Sequence, residues 1–124
     1  MKNIILLVLS FFMFSFIIEP DDIDAAIRSG NTKVLSQRMN VNVELVILDK
    51  DDIYSKVQAQ RILQQFFEKN KPLSFEILHK GGKDNTQYFI GTLKTKDKKF
   101  RVYYLLKTKD KKSLIYQFRI ELDE

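Results

Sequence analysis

The chain has 124 residues, with 21 Lys and Arg against 16 Asp and Glu, a net charge of +5 and no cysteine. That length bounds one domain of about a hundred residues, enough to carry its own core. The lack of cysteine excludes disulfides, thiolate chemistry and a lipid-modified cysteine, while the small basic surplus favours anionic neighbours without naming one.

Residues 1–18 differ in kind from the rest of the chain. Lys2 precedes an uncharged run, Ile4 to Ile18, broken by Ser10 and Ser15 and stopped by Glu19, Pro20, Asp21 and Asp22. A membrane-crossing helix needs about 20 apolar residues, so the run suits the centre of a secretion signal. The expected organisation is a signal peptide over 1–18 and one domain over 19–124, periplasmic or extracellular, with an uncleaved membrane tether as the alternative.

Asp22 to Met39 reads as two short helices. Ile23, Ala26 and Ile27 give the first an apolar face, Gly30 ends it, and Asn31 caps a second that carries Val34, Leu35 and Met39. Val41 to Leu48 alternates as a strand. Ser55 and Gln58 then form a capping box, and Ala59, Ile62, Leu63, Phe66 and Phe67 fall on one stripe of a long helix closed by Asn70 and Pro72. Leu73–His79, Thr86–Thr95, Phe100–Lys107 and Leu114–Leu122 are strand-like runs with short connections, the pattern of an antiparallel meander. LKTKDKK occurs at both Leu93–Lys99 and Leu106–Lys112, two similar polar turns rather than a solenoid repeat.

Both faces of this sheet carry apolar residues. Phe100, Val102, Tyr104 and Leu106 share one face, as Leu114, Tyr116, Phe118 and Ile120 do on their own strand. The second face is assigned Phe89, Leu93, Tyr103, Leu105 and Ile115, beside Arg101, Gln117 and Arg119. A mixed apolar and polar face of this kind suits a homodimer interface.

The segments AAIRSGNTKVLSQRM, VELVILDKDDIYSKVQAQRILQQFF, HKGGKDNTQYFIGTL, FRVYYLLK and FRIE together resemble an uncharacterised family of small exported bacterial proteins. That family is assigned to the nuclear-transport-factor-2-like (cystatin-like) superfamily. The resemblance implies an α+β cone, helices packed on a curved antiparallel sheet, and an exported location. It brings no activity and no catalytic residues, and the superfamily mixes enzymes with binding and dimerising members.

Candidate chemistry is sparse. His79, the single histidine, is the one candidate general base, with Asp84 across the predicted turn, but no second acid or nucleophile stands near it. Asp49, Asp51 and Asp52 have calcium-loop spacing, yet Ile53, Tyr54 and Gln60 occupy the positions such a loop needs for a ligand, a glycine and a glutamate. Gly81-Gly82-Lys83 reads as a hairpin turn rather than a phosphate cradle. KFRVYYLLK mixes cations with aromatics, but alternation splits them between faces, so no nucleic acid partner is expected. Lys80, Lys83, Lys107, Lys109, Lys111 and Lys112 fall at one end of the meander, where their fields add toward an anionic surface.

The expected function is a non-catalytic binding or interaction module, dimeric, with no cofactor and no metal, whose partner is a small ligand or an envelope component. The rivals are an enzyme using the cone interior and a peripheral module docked by its lysine turns. A processed N-terminus between residues 15 and 23 is expected, and mass spectrometry of the native protein checks it. A chain that still begins at Met1 would contradict it.

Overall fold

The computed structural model describes residues 22–123, so the expected signal segment lies outside the described residues. Among the described residues, no helix is long and apolar enough to cross a membrane. The elements are α1 (Asp22–Ser29), α2 (Thr32–Gln37), β1 (Met39–Ile47), β2 (Lys50–Ser55), α3 (Lys56–Lys69), β3 (Ser74–Lys83), β4 (Thr86–Lys94), β5 (Lys99–Lys109) and β6 (Lys112–Leu122). The strands form one six-stranded sheet in the order β2-β1-β6-β5-β4-β3. Every neighbouring pair is antiparallel except β1 with β6, which run parallel. The sheet is therefore mixed but mostly antiparallel, in keeping with the expected α+β arrangement of helices on a sheet.

The helices lie on one face, because each puts an apolar stripe there. Asn31 Oδ1 accepts from the Val34 amide to cap α2, and Ser55 and Gln58 close a capping box on α3. α3 then buries Ala59, Leu63, Phe66 and Phe67 against β1, β2 and α2. The sheet answers with Val43 and Leu45 from β1, Leu93 from β4, Phe100, Val102 and Tyr104 from β5, and Phe118 and Ile120 from β6. Phe89 and Phe118 stack on either side of Tyr104, with centroids 4.9 and 6.2 Å away. Such aromatic contacts add about 0.5–1.5 kcal/mol each beyond the area they bury. The whole buried core lies between Ile23 and Ile120.

Four local expectations change. The strand β2 is new: Asp51 and Asp52 lie in an edge strand that pairs with β1, Val46 opposite Asp51 and Leu45 opposite Asp52. Met39 opens β1 instead of closing α2, and stays in the core. Gly81 and Gly82 lie inside β3, and the hairpin turns at Asp84 and Asn85 between the paired Lys83 and Thr86. Gly81 leaves the space that the Tyr88 phenol occupies, since an added Cβ would sit 2.6 Å from its Oη. Finally, β6 carries a bulge. Leu105 pairs with Gln117 and Leu106 with Ile115, so Tyr116 is the extra residue and the alternation reverses there. Ile115 consequently turns into the core, while Leu114 and Tyr116 leave it.

The two LKTKDKK copies fold differently. In the second, Asp110 and Lys111 both have positive φ, 54° and 64°, and form a two-residue hairpin loop between paired Lys109 and Lys112. In the first, the Thr95 amide donates to the Lys98 carbonyl at 2.9 Å across a longer loop. Phe66 is 6% exposed and meets Phe100 edge-on at 5.1 Å. Phe66→Ala is therefore expected to destabilise by about 3–5 kcal/mol in chemical denaturation, and an unchanged midpoint would contradict this packing.

Candidate functional site

The register divides the meander cleanly. Phe89 opposes Tyr104 and Leu93 opposes Phe100, so both face the helices. The expected second face is thus corrected. Leu93 and Ile115 are fully buried core residues and Phe89 is half-buried against the core; only Tyr103 and Leu105 of that set lie outside. The outer face is built instead from the alternate positions. One row across the strands is Asp51, Val46, Arg119, Tyr103, Ile90 and His79. The next is Ile53, Glu44, Gln117, Leu105, Tyr88 and Gly81. Tyr88 and Tyr103 stack at 6.3 Å, and the Lys107 ammonium stands 5.0 Å from the centre of the Tyr116 ring.

Charges thread through this apolar surface. Gln117 Nε2 donates to Glu44 Oε1 at 3.0 Å, and Arg119 Nη1 donates to Glu121 Oε1 at 3.3 Å. Burial pushes the Glu44 carboxyl up; a hydrogen bond with Asp51 and the Asp51 charge push the same way, and Arg119 pulls it back. Arg119 Nε is buried and has no hydrogen-bond partner. An orphaned buried donor is costly, and it lies here in the middle of an otherwise half-buried face.

The interior of the fold is filled. Tyr104, Phe100 and Phe118 are fully buried where helices and sheet meet, with Phe66 and Phe67 packed over them. Beside this core runs a half-open apolar groove of about 300 Å³ between α3 and the β1–β2 hairpin. Leu45, Ile47, Ile62 and Phe66 line it, with Tyr54, Gln65, Lys50 and Lys69 as its polar members. Neither carboxylate nor imidazole stands in that lining.

His79 pairs with Ile90 through the β3–β4 ladder and is exposed, and no side-chain hydrogen bond or ion pair joins it to Asp84. Among the described residues, no three His, Cys, Asp or Glu side chains group as metal ligands. Lys80, Lys83, Lys107, Lys109, Lys111 and Lys112 are all exposed. The two turns that carry most of them are bonded together, the Thr108 amide donating to the Asn85 carbonyl at 2.8 Å. The outer face itself could have been found from sequence by taking Tyr88 and Ile90 with Tyr103 and Leu105. The bulge at Tyr116 carries no local sequence signal that would have placed Ile115.

No curated protein matches the chain. Solved structures do. It is 34% identical to a DUF4783 family protein from Bacteroides ovatus, covering 85% of this chain and 96% of that one, with a TM-score of 0.80. It is 30% identical to another DUF4783 family protein, from Bacteroides fragilis, over 86% of this chain and 100% of that one, with a TM-score of 0.78. At 10% identity it also matches a nuclear-transport-factor-2-like protein of unknown function from Burkholderia xenovorans, over 82% and 77% of the two chains, with a TM-score of 0.61, a likeness of fold alone. The family described as a domain of unknown function, DUF4783, matches residues 20–121. With that span covering nearly every described element, the chain belongs to the DUF4783 family and has a nuclear-transport-factor-2-like α+β fold.

Proposed function

We propose that the protein is an exported, non-catalytic interaction module that pairs with a second copy of itself through the outer face of the sheet. The observation that carries this reading is the orphaned Arg119 Nε within the apolar surface of Tyr88, Ile90, Tyr103 and Leu105. Glu44, Asp51 and Glu121 share that face with Arg101 and Arg119. A two-fold pairing sets such opposite charges against one another and offers acceptors to the Arg119 guanidinium, whose side chain is partly exposed beside its occluded Nε. Apolar contact at the centre with charged residues interspersed is the make-up of a non-obligate interface. The filled interior supports the same reading, since an acid–base enzyme needs facing ionisable groups around a substrate cavity.

Sedimentation tests it. The domain should dimerise at roughly tens of micromolar, the range of ordinary weak interfaces, and Tyr103→Glu should make it monomeric while leaving the circular dichroism intact. A monomeric wild type, or a dimer that tolerates the glutamate, would overturn the pairing.

Glu44 gives a pH-dependent check on the same face. An acid whose folded pKa is raised binds protons more readily folded than unfolded, so stability falls as pH climbs from the ordinary value through the raised one. Above that window the deficit is constant. Glu44→Gln should therefore melt higher than wild type at neutral pH, and the gain should vanish once pH drops below 4.5, the carboxyl's ordinary value. A variant that melts lower at neutral pH would show that the face needs the ionised carboxylate.

A further inference from the structure

The end of the sheet at which β3 meets β4 and β5 meets β6 gathers features that the pairing face leaves unused. The Thr108–Asn85 bond fixes the two turns side by side, so Lys83, Lys107, Lys109, Lys111 and Lys112 share one edge with Lys80 just behind it. Asp84 and Asp110, one in each turn, are the acids of these loops. Lys56, at the start of α3, joins Lys111, Lys112 and Arg38 around a hollow that also contains Val41 and Leu114. Val41 is 69% exposed. A cationic rim thus surrounds exposed aliphatic surface, the combination that settles into the headgroup layer of a bilayer.

The route of the chain sets this end apart from the other lysine-bearing loop, Lys96 to Lys99. Asp22 accepts from the Arg38 guanidinium, whose Nη2 donates to the Ser113 carbonyl at 3.0 Å, next to Lys112. The Ile115 amide donates to the Arg38 carbonyl at 2.7 Å, fixing that geometry from the backbone. The chain therefore enters the domain at the Lys112 end, and the sequence before Asp22 contains the apolar run Ile4 to Ile18. Before processing, that apolar run ties this end of the domain, and not the Lys96 end, to the bilayer.

We propose that the lysine-rich end, with Val41 beside Lys56, Lys111 and Lys112, is a docking surface for a bilayer containing anionic phospholipid. Clustered cations close to a membrane each add to its attraction within about a Debye length. The exposed aliphatic side chain among them favours lipid over a wholly polar polyanion, which offers Val41 nothing to enter.

Residues 20–124 contain the entire core and remove the apolar run from the test, so this domain is co-sedimented with vesicles. It should bind vesicles that mix phosphatidylglycerol into phosphatidylcholine, ignore phosphatidylcholine alone, and release as salt rises. Lys111→Gln with Lys112→Gln should weaken binding about five-fold per lysine, on the order of 25-fold for the pair. Lys96→Gln with Lys98→Gln changes net charge equally and should cost less than about five-fold in binding. Val41→Ser should also lower binding. Equal losses from both lysine pairs would overturn the proposal by reducing it to net charge. Failure to bind the anionic vesicles would overturn it outright, as would retention on heparin without vesicle binding.

Discussion

The parallel pairing of β1 with β6 is the contact through which two separate strand systems become one sheet. Leu45 lies opposite Phe118 and Ile47 opposite Ile120, while the Leu48 amide donates to the Ile120 carbonyl at 2.8 Å. Without it, the β1–β2 hairpin carrying α3 would have only helix packing to hold it against the meander. A parallel pair cannot be closed by a tight turn, and here its crossover is most of the domain, from β2 through α3 to β5. The contact is accordingly long-range, and it sets the frame for everything on the outer face. Glu44 reaches Gln117, and Val46 lies opposite Arg119, only because these strands are neighbours.

The bulge at Tyr116 sits where both ladders of β6 change register. Register along β6 shifts against both neighbours: Met39 and Glu44 of β1 pair with Ile115 and Gln117, five positions matched to two. With Tyr116 displaced, Ile115 and Phe118 can both face the helices although they are an odd number of residues apart. The gain is a filled interior. The proposed pairing surface lies on the opposite sheet face, where aromatic stacking, an orphaned guanidinium nitrogen and a carboxyl raised by its surroundings coincide.

Local signals suffice for the parts of the fold that are locally determined. α3 is legible because its capping box and its stripe from Ala59 to Phe67 need only a helical period, and Asn31 caps α2 for the same reason. β2 is not, because Lys50, Asp51 and Asp52 form an edge strand whose pairing partner, rather than its own composition, makes it a strand. Assigning Leu93 and Ile115 to the outer face fails through register, which one residue of slip inverts. The two LKTKDKK copies make the point most simply, since identical residues adopt a tight two-residue loop in one place and a wider one in the other. The strands on either side decide the turn.

The absence of any native cysteine makes the central claim open to a clean spectroscopic measurement. A single nitroxide is attached at Thr92→Cys, on the outer face between Arg101 and Glu76, or at Gln64→Cys, exposed on α3. Dipolar coupling between labels then reports distance between two copies, since each chain carries one label. Pairing through the outer face predicts a defined distance from the Thr92 site that is shorter than any from Gln64. No coupling between copies, or a shorter distance across the helix side, would contradict it.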